Sequence, residues 1–440
     1  MPTPDLLGSQ RWAASPDLDE PSEAGFDDLV SRAKSYRDTL DPRLLWPGVE
    51  PVAIQRAADD IGRAVQSILA GAPATLSTGP HDAEAIGIAG LVTGVGPLLG
   101  YWFERGLLEG DAAVTSVLTN HLQHNRRRSS DVASHISALA VALAAQGVTL
   151  GVLKGYHTAR VYFPEPGTRP FSDVDLVVRP DEVERARIVL RAQGFVEGVG
   201  TEDPYKREWH LGDRDGRIRS LHLWHARNPW IIELYGAVVF AHVKGDGARL
   251  LASSTFDDVW TTDGVAFRVP RRSSLFAMVA VHASGELYSS RLLRLVELVL
   301  MARPDATGRE LDWGEVEEFL TSTRTMHFAS PALHLVEQLV PGTVDSGLLR
   351  RSREGSSPRL RRVMATFTPT SPVLPLMTSI DERLMWTTGR LAVLRRFWLM
   401  IAPVADASPS QVLALYRGRL HRFLTGRVRF RMGARDGLGP

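Results

Sequence analysis

The 440-residue chain contains no cysteine. Disulfides, thiolate metal sites and a cysteine nucleophile are therefore excluded, and the composition suits an intracellular protein. Lysine is nearly as scarce: only Lys34, Lys154, Lys206 and Lys244 occur, so 47 of the 51 basic residues are arginine. With heavy alanine use, this suits a GC-rich bacterial genome. No basic-then-apolar signal pattern opens the sequence, and residues 1–25 are rich in Pro, Asp, Ser and Glu. The expectation is a disordered polar leader on a cytoplasmic protein. Long apolar runs are also missing, with one exception. Ala85 to Phe103 is uncharged for 19 residues but carries Gly87, Gly90, Gly94, Gly96, Pro97 and Gly100. A buried, glycine-broken helical segment is expected there, and no membrane span.

What is present is a hydrophobic fraction of 44%, enough to bury a core across two or three structural units. The net charge of +1 hides clusters at Arg126–Arg128, along Arg350–Arg362, and between Arg417 and Arg435, where seven arginines occur with no acid. Such a tail offers a contact for RNA, although charge runs are more often solvated helix faces. No internal repeat is evident.

Along the chain, Phe26 to Glu109 reads as helical. Ser129 or Ser130 can cap a following helix whose Val132, Ile136, Leu139 and Leu143 form one apolar stripe, with Gly147 as the stop. Val148–Leu153 reads as a short apolar strand that runs into Lys154-Gly155 and a helix from Tyr156. After Pro164 and Pro166 comes Arg169-Pro170-Phe171-Ser172-Asp173-Val174-Asp175-Leu176-Val177-Val178. A hairpin is predicted next, Trp209–Leu211 pairing with Ile218–Trp224 across a turn at Gly212–Gly216. In that return strand Ser220, His222 and Trp224 share a face. Beyond Pro229 the pattern turns helical again, with a linker at Gly355–Pro358 and a last helical unit over roughly Ile380–Leu424.

Asp173 and Asp175 carry the most information, because alternate strand residues face the same side and two carboxylates on one face make a metal site. Upstream, Gly155 lets backbone approach a phosphate closely at a helix start, and Lys154 adds a point charge beside it. Hard oxygen ligands for a cation together with a phosphate-accepting turn suit nucleotidyl transfer from a metal-bound NTP. Each residue also has a plainer reading: Gly155 as a simple turn, Lys154 as a salt bridge to an aspartate, and Arg160 or Arg169 as ordinary ion pairs rather than phosphate clamps.

Lys154-Gly155, the Arg169–Val178 run and Leu221-His222 together resemble the uncharacterised bacterial nucleotidyltransferase family, a branch of the polymerase-β-like superfamily. Asp257-Asp258-Val259-Trp260, His282, the Arg291–Leu300 helix and Leu311-Asp312-Trp313 extend the resemblance, which covers about Asp131 to Leu320. It implies a mixed sheet with helices packed on it, magnesium, with manganese as the alternative ion, and NMP transfer from an NTP to an acceptor that is generally unknown. Asp173 and Asp175 would hold the metal, with Lys154, Gly155, Arg169 and Ser172 at the nucleotide. Many members of the wider superfamily have Gly-Ser where this chain has Gly155-Tyr156. Such enzymes usually carry a third acid on a neighbouring strand. The register that matches His222 to the family histidine puts Ser220 there instead, leaving Asp213, Asp215 or His222 as substitute base, or a site that binds without turnover.

The expected fold is α+β, a small mixed-sheet core over 129–232, with helical regions over 26–128, 233–345 and 346–440. The expected activity is transfer of an NMP, AMP first, to a small molecule, peptide or RNA. The alternatives are a degenerate binding module and a tRNA-directed transferase that uses the basic tail.

Overall fold

The computed structural model describes residues 41–374 except 80–81, 199–205, 213–217, 241–248, 251–252, 263, 286, 288–290 and 306, together with parts of 28–36 and residues 386 and 394. The last helical unit expected from the sequence and the arginine-rich tail fall outside the described residues, apart from Trp386 and Leu394, and so do Asp213 and Asp215.

The fold is mixed α+β. Its centre is a seven-stranded sheet built from β1 (Gly151–Val152), β2 (Asp173–Val177), β3 (Phe195–Glu197), β4 (Lys206–Leu211), β5 (Ile231–Tyr235), β6 (Asp258–Thr262) and β7 (Val265–Val269). Their spatial order is β6-β7-β1-β2-β5-β4-β3. The sheet is mixed: β2 runs parallel to β5 and β7 parallel to β1, while the remaining neighbours are antiparallel. Period-two alternation sorts the side chains. Val174, Leu176, Ile232, Leu234, Trp209 and Leu211 enter one core with Val132, Ile136, Leu139 and Leu143 of the long helix and Val189 and Leu190 of Val183–Ala192. The intervening residues of β2, β5 and β4 therefore point to the opposite face, and they include Asp173, Asp175, Glu233, Tyr235, Lys206 and Glu208.

A second core lies beside the sheet and is made by helices from both flanks. Ile54 and Ile61 of Pro51–Leu69 and Leu98 of Gly96–Glu104 share it with Phe276 of Arg272–Gly285, Leu298 of Arg291–Ala302 and Leu333 of Met326–Leu339. Gln55 and Asp59 tie the first of these helices to the Thr370 segment: Gln55 Nε2 donates to the Thr370 carbonyl at 3.2 Å, and Thr370 Oγ1 donates to Asp59 at 2.7 Å. The uncharged 85–103 segment forms two helices, Ala83–Thr93 and Gly96–Glu104, bent by 116°. Gly94, with φ of +80°, supplies the turn. Among the described residues no single helix is long and apolar enough to cross a membrane.

Three local expectations are corrected. The helix carrying the Val132–Leu143 stripe runs unbroken over Ala112–Ala145, so Ser129 and Ser130 lie inside it, and Asp111 caps its start by accepting from Val114 N–H at 3.0 Å. Nothing between Ala112 and Arg128 breaks a helix, and Arg128 turns inward to donate to the carbonyls of Phe171, Asn228 and Pro229. The predicted hairpin does not form, because β3 occupies one edge of β4 and β5 the other. Ile218–Trp224 is irregular chain instead, held by Asn228 accepting from Arg219 N–H at 2.6 Å and by Trp46 Nε1 donating to the Leu221 carbonyl at 3.0 Å. Finally, Ile231–Tyr235, Asp258–Thr262 and Val265–Val269 are strands in a stretch whose pattern reads as helical.

Candidate active site

β2 and β5 are in parallel register, with Asp173 opposite Ile231 and Asp175 opposite Glu233. The pairing sets three carboxylates on one face, and one oxygen each from Asp173, Asp175 and Glu233 lie within 4.8 Å of one another. Asp175 and Glu233 are buried, while Asp173 is partly open to solvent. Three like charges so close are costly without counterions. Lys154 Nζ lies 2.8 Å from Asp175 Oδ2 and 3.9 Å from Asp173 Oδ2. On the other flank, Lys206 Nζ lies 2.9 Å from Glu233 Oε1. Tyr235 O–H donates to Glu233 Oε2 at 2.6 Å and lies 3.3 Å from Asp175 Oδ1.

Burial pushes the Asp175 carboxyl up to about 6, helped by Asp173 and Glu233 and opposed by Lys154. Burial also lowers the Lys154 ammonium, but Asp175 and Asp173 outweigh it and hold the group above its usual range. Tyr235 is driven well above its ordinary value, first by burial and then by the carboxylates, so it stays protonated and donates. Three hard oxygen donors within this span, two of them withdrawn from water, fit a divalent cation.

Gly155 opens the short helix Tyr156–Val161 with φ of +64° and ψ of −87°. That region strains any residue with a Cβ. An added Cβ would meet only ordinary contacts, the nearest being Arg169 Nη1 and the Asp173 carbonyl at 3.6 Å, so the cost of a substitution is conformational. Gly155→Ala should destabilise the fold by about 1–3 kcal/mol in denaturant titration and shift Lys154 off Asp175. An unchanged midpoint would show that the turn relaxes freely.

Lys154 stands where the sequence puts it, beside the aspartates and next to the glycine turn. Ser172 is exposed, its Oγ 3.4 Å from Asp173 Oδ1. Arg160 stacks on Tyr156, 3.7 Å from the ring centre. Arg169, read as a nucleotide-binding residue, is 1% exposed and binds Glu297 with two bonds of 2.9 Å. Its fork is committed to that carboxylate. His222, read as a strand residue lining the aspartates, is instead on the irregular 218–224 segment, with Nδ1 3.9 Å from Glu84 Oε1. Burial lowers its pKa and Glu84 opposes the shift. Ser220 Oγ accepts from the His222 N–H at 3.0 Å within the same segment.

The acid that sequence reasoning missed is Glu233. A signal was present: Trp230-Ile231-Ile232-Glu233-Leu234-Tyr235 is an apolar run with a single charge in it, and a lone acid in a β-rich run calls for a partner or a ligand.

The sequence model of the family described as uncharacterised nucleotidyltransferase matches residues 92–341, more than half of the chain. Among solved structures, the solution structure of the antibiotic-resistance factor ANT(2'')-Ia is similar at 11% identity and a TM-score of 0.30, over 47% of this chain and 98% of that one. No curated protein matches. With its mixed sheet, its acidic group and a match that spans the whole of that sheet, the chain belongs to the uncharacterised nucleotidyltransferase family.

Proposed function

We propose that the protein transfers a nucleoside monophosphate, AMP in the first instance, from a metal-bound nucleoside triphosphate to a nucleophile on an acceptor. The observation that carries this reading is the convergence of Asp173, Asp175 and Glu233 on one sheet face. Magnesium, or manganese in its place, would be held by these carboxylates and, when bound, would polarise the α-phosphate and offset charge on the departing pyrophosphate. The acceptor oxygen forms its bond to the α-phosphorus as the bond to the pyrophosphate oxygen breaks. Glu233, on the strand next to the aspartates, is placed to take the acceptor's proton. Lys154 serves the triphosphate and Asp175 together, and Gly155 keeps the backbone at that point free of a Cβ. Positioning and electrostatics then supply most of the rate.

The binding-module reading rested on the lack of a third acid, and Glu233 removes that motive. The acceptor classes remain a small molecule, a peptide or RNA.

The direct test incubates purified protein with labelled NTPs, magnesium or manganese, and cell extract or total tRNA. Metal-dependent transfer of label is expected with ATP. Asp173→Asn and Asp175→Asn should each lower it by at least about tenfold while the fold is kept, because only the ligand charge is lost. Equal Mg-ATP binding by both variants and the parent, measured by calorimetry, would refute the site.

A further inference from the structure

Both lysines among the described residues, Lys154 and Lys206, stand on the acidic group, in a chain where 47 of the 51 basic residues are arginine. The chemistry of the two cations explains the choice. An arginine facing a buried carboxylate engages both oxygens, as Arg169 does here through Nε to Glu297 Oε1 and Nη2 to Oε2. Lys206 is 2% exposed and meets Glu233 through Oε1 alone, which leaves Oε2 to the Tyr235 hydroxyl. The only other carboxylate within 4.0 Å of its ammonium among the described residues is Glu208, at 3.5 Å. Register places all of these on the metal face: Lys206 opposes Tyr235, and Glu208 opposes Glu233. A lysine takes one Glu233 oxygen where an arginine fork would take both, and with Tyr235 on the other oxygen it fixes the rotamer.

We propose that Lys206 is a positioning residue that sets the metal affinity of this site, its ammonium offsetting the charge of Glu233 and fixing its orientation. The inference rests on the reading of Asp173, Asp175 and Glu233 as metal ligands. Removing Lys206 makes the site more negative by one charge, so attraction for a cation rises as the hold on Glu233 is lost.

The test titrates Mn2+ into the parent, Lys206→Met, Lys206→Gln and Lys206→Arg by calorimetry at pH 8, with circular dichroism to establish folding and melting curves with and without Mn2+. Lys206→Met and Lys206→Gln should bind Mn2+ more tightly, on the order of tenfold, and gain more melting temperature from it than the parent. Transfer should nevertheless slow, because Glu233 is no longer held. Lys206→Arg keeps the charge but grips both oxygens, and should bind Mn2+ more weakly. Should the bulkier arginine prevent folding, the other two variants decide the matter. Affinity unchanged or reduced in Lys206→Met and Lys206→Gln would make Lys206 merely structural and overturn the proposal. A parent that binds neither Mn2+ nor Mg2+ would overturn the metal reading itself, and this inference with it.

Discussion

Glu233→Gln should lower nucleotidyl transfer by about 10²–10⁴-fold, the range over which a positioned acid–base group acts. The amide keeps the size of the side chain and can still accept from Lys206 or Tyr235, so the loss falls on charge. Metal affinity should drop as well, since one of three anionic ligands is gone. Single-turnover transfer and Mn2+ calorimetry measure the two effects separately. Ser220→Asp added to Glu233→Gln should restore nothing, because Ser220 belongs to the irregular segment that carries His222 towards Glu84. Transfer within threefold of the parent for Glu233→Gln, or rescue by Ser220→Asp, would mean that β5 is not the strand that completes the site.

The second large effect is on stability. Glu297, fully buried, accepts from both Arg169 and Thr158 Oγ1 and thereby joins the Arg291–Ala302 helix to the Tyr156–Val161 helix and to the lead-in of β2. Glu297→Gln leaves the Arg169 guanidinium buried without its counterion and should cost about 3–5 kcal/mol in denaturant titration. Converting both partners, with Arg169→Gln added, should recover part of that loss. Burial alone would raise the Glu297 carboxyl, but Arg169 and Arg294 outweigh it and bring it down to about 2 from an ordinary 4.5. A folded-state value below the unfolded one means stability that is fully present above pH 4.5 and lost as pH falls from 4.5 towards 2. The parent should therefore lose stability through that window, and Glu297→Gln should lose less. Identical acid-unfolding slopes would show that the pair does not hold the charge.

The parts of this site that could be read from the sequence are those set by neighbours in sequence. Asp173 and Asp175 share a face because strands alternate, and Gly155 follows Lys154 into a turn that only glycine tolerates. The Val132–Leu143 stripe was equally legible, since helical period alone defines it. What could not be read depends on pairing between distant strands. Glu233 comes beside Asp175 only because β5 pairs in parallel with β2, 58 residues further along the chain. The Ile218–Trp224 run offered a nearer candidate, and periodicity cannot reveal that both edges of β4 are already taken. The partner of Arg169 was hidden for the same reason: Glu297 is 128 residues away.

The two cores also fix an order of assembly during synthesis. The core under the sheet draws on Val132 through Val269 and can consolidate once that stretch has left the ribosome. The other core joins Ile54 and Leu98 to Phe276, Leu298 and Leu333, so the earliest helices pack on one another and on Ala112–Ala145 first, and the part of the core they share with the later helices stays open until those are made. Such long-range closure is slow and exposed to misassociation. The nascent protein should therefore be most dependent on chaperones in the interval when its sheet is already formed and its first helices still lack the later ones.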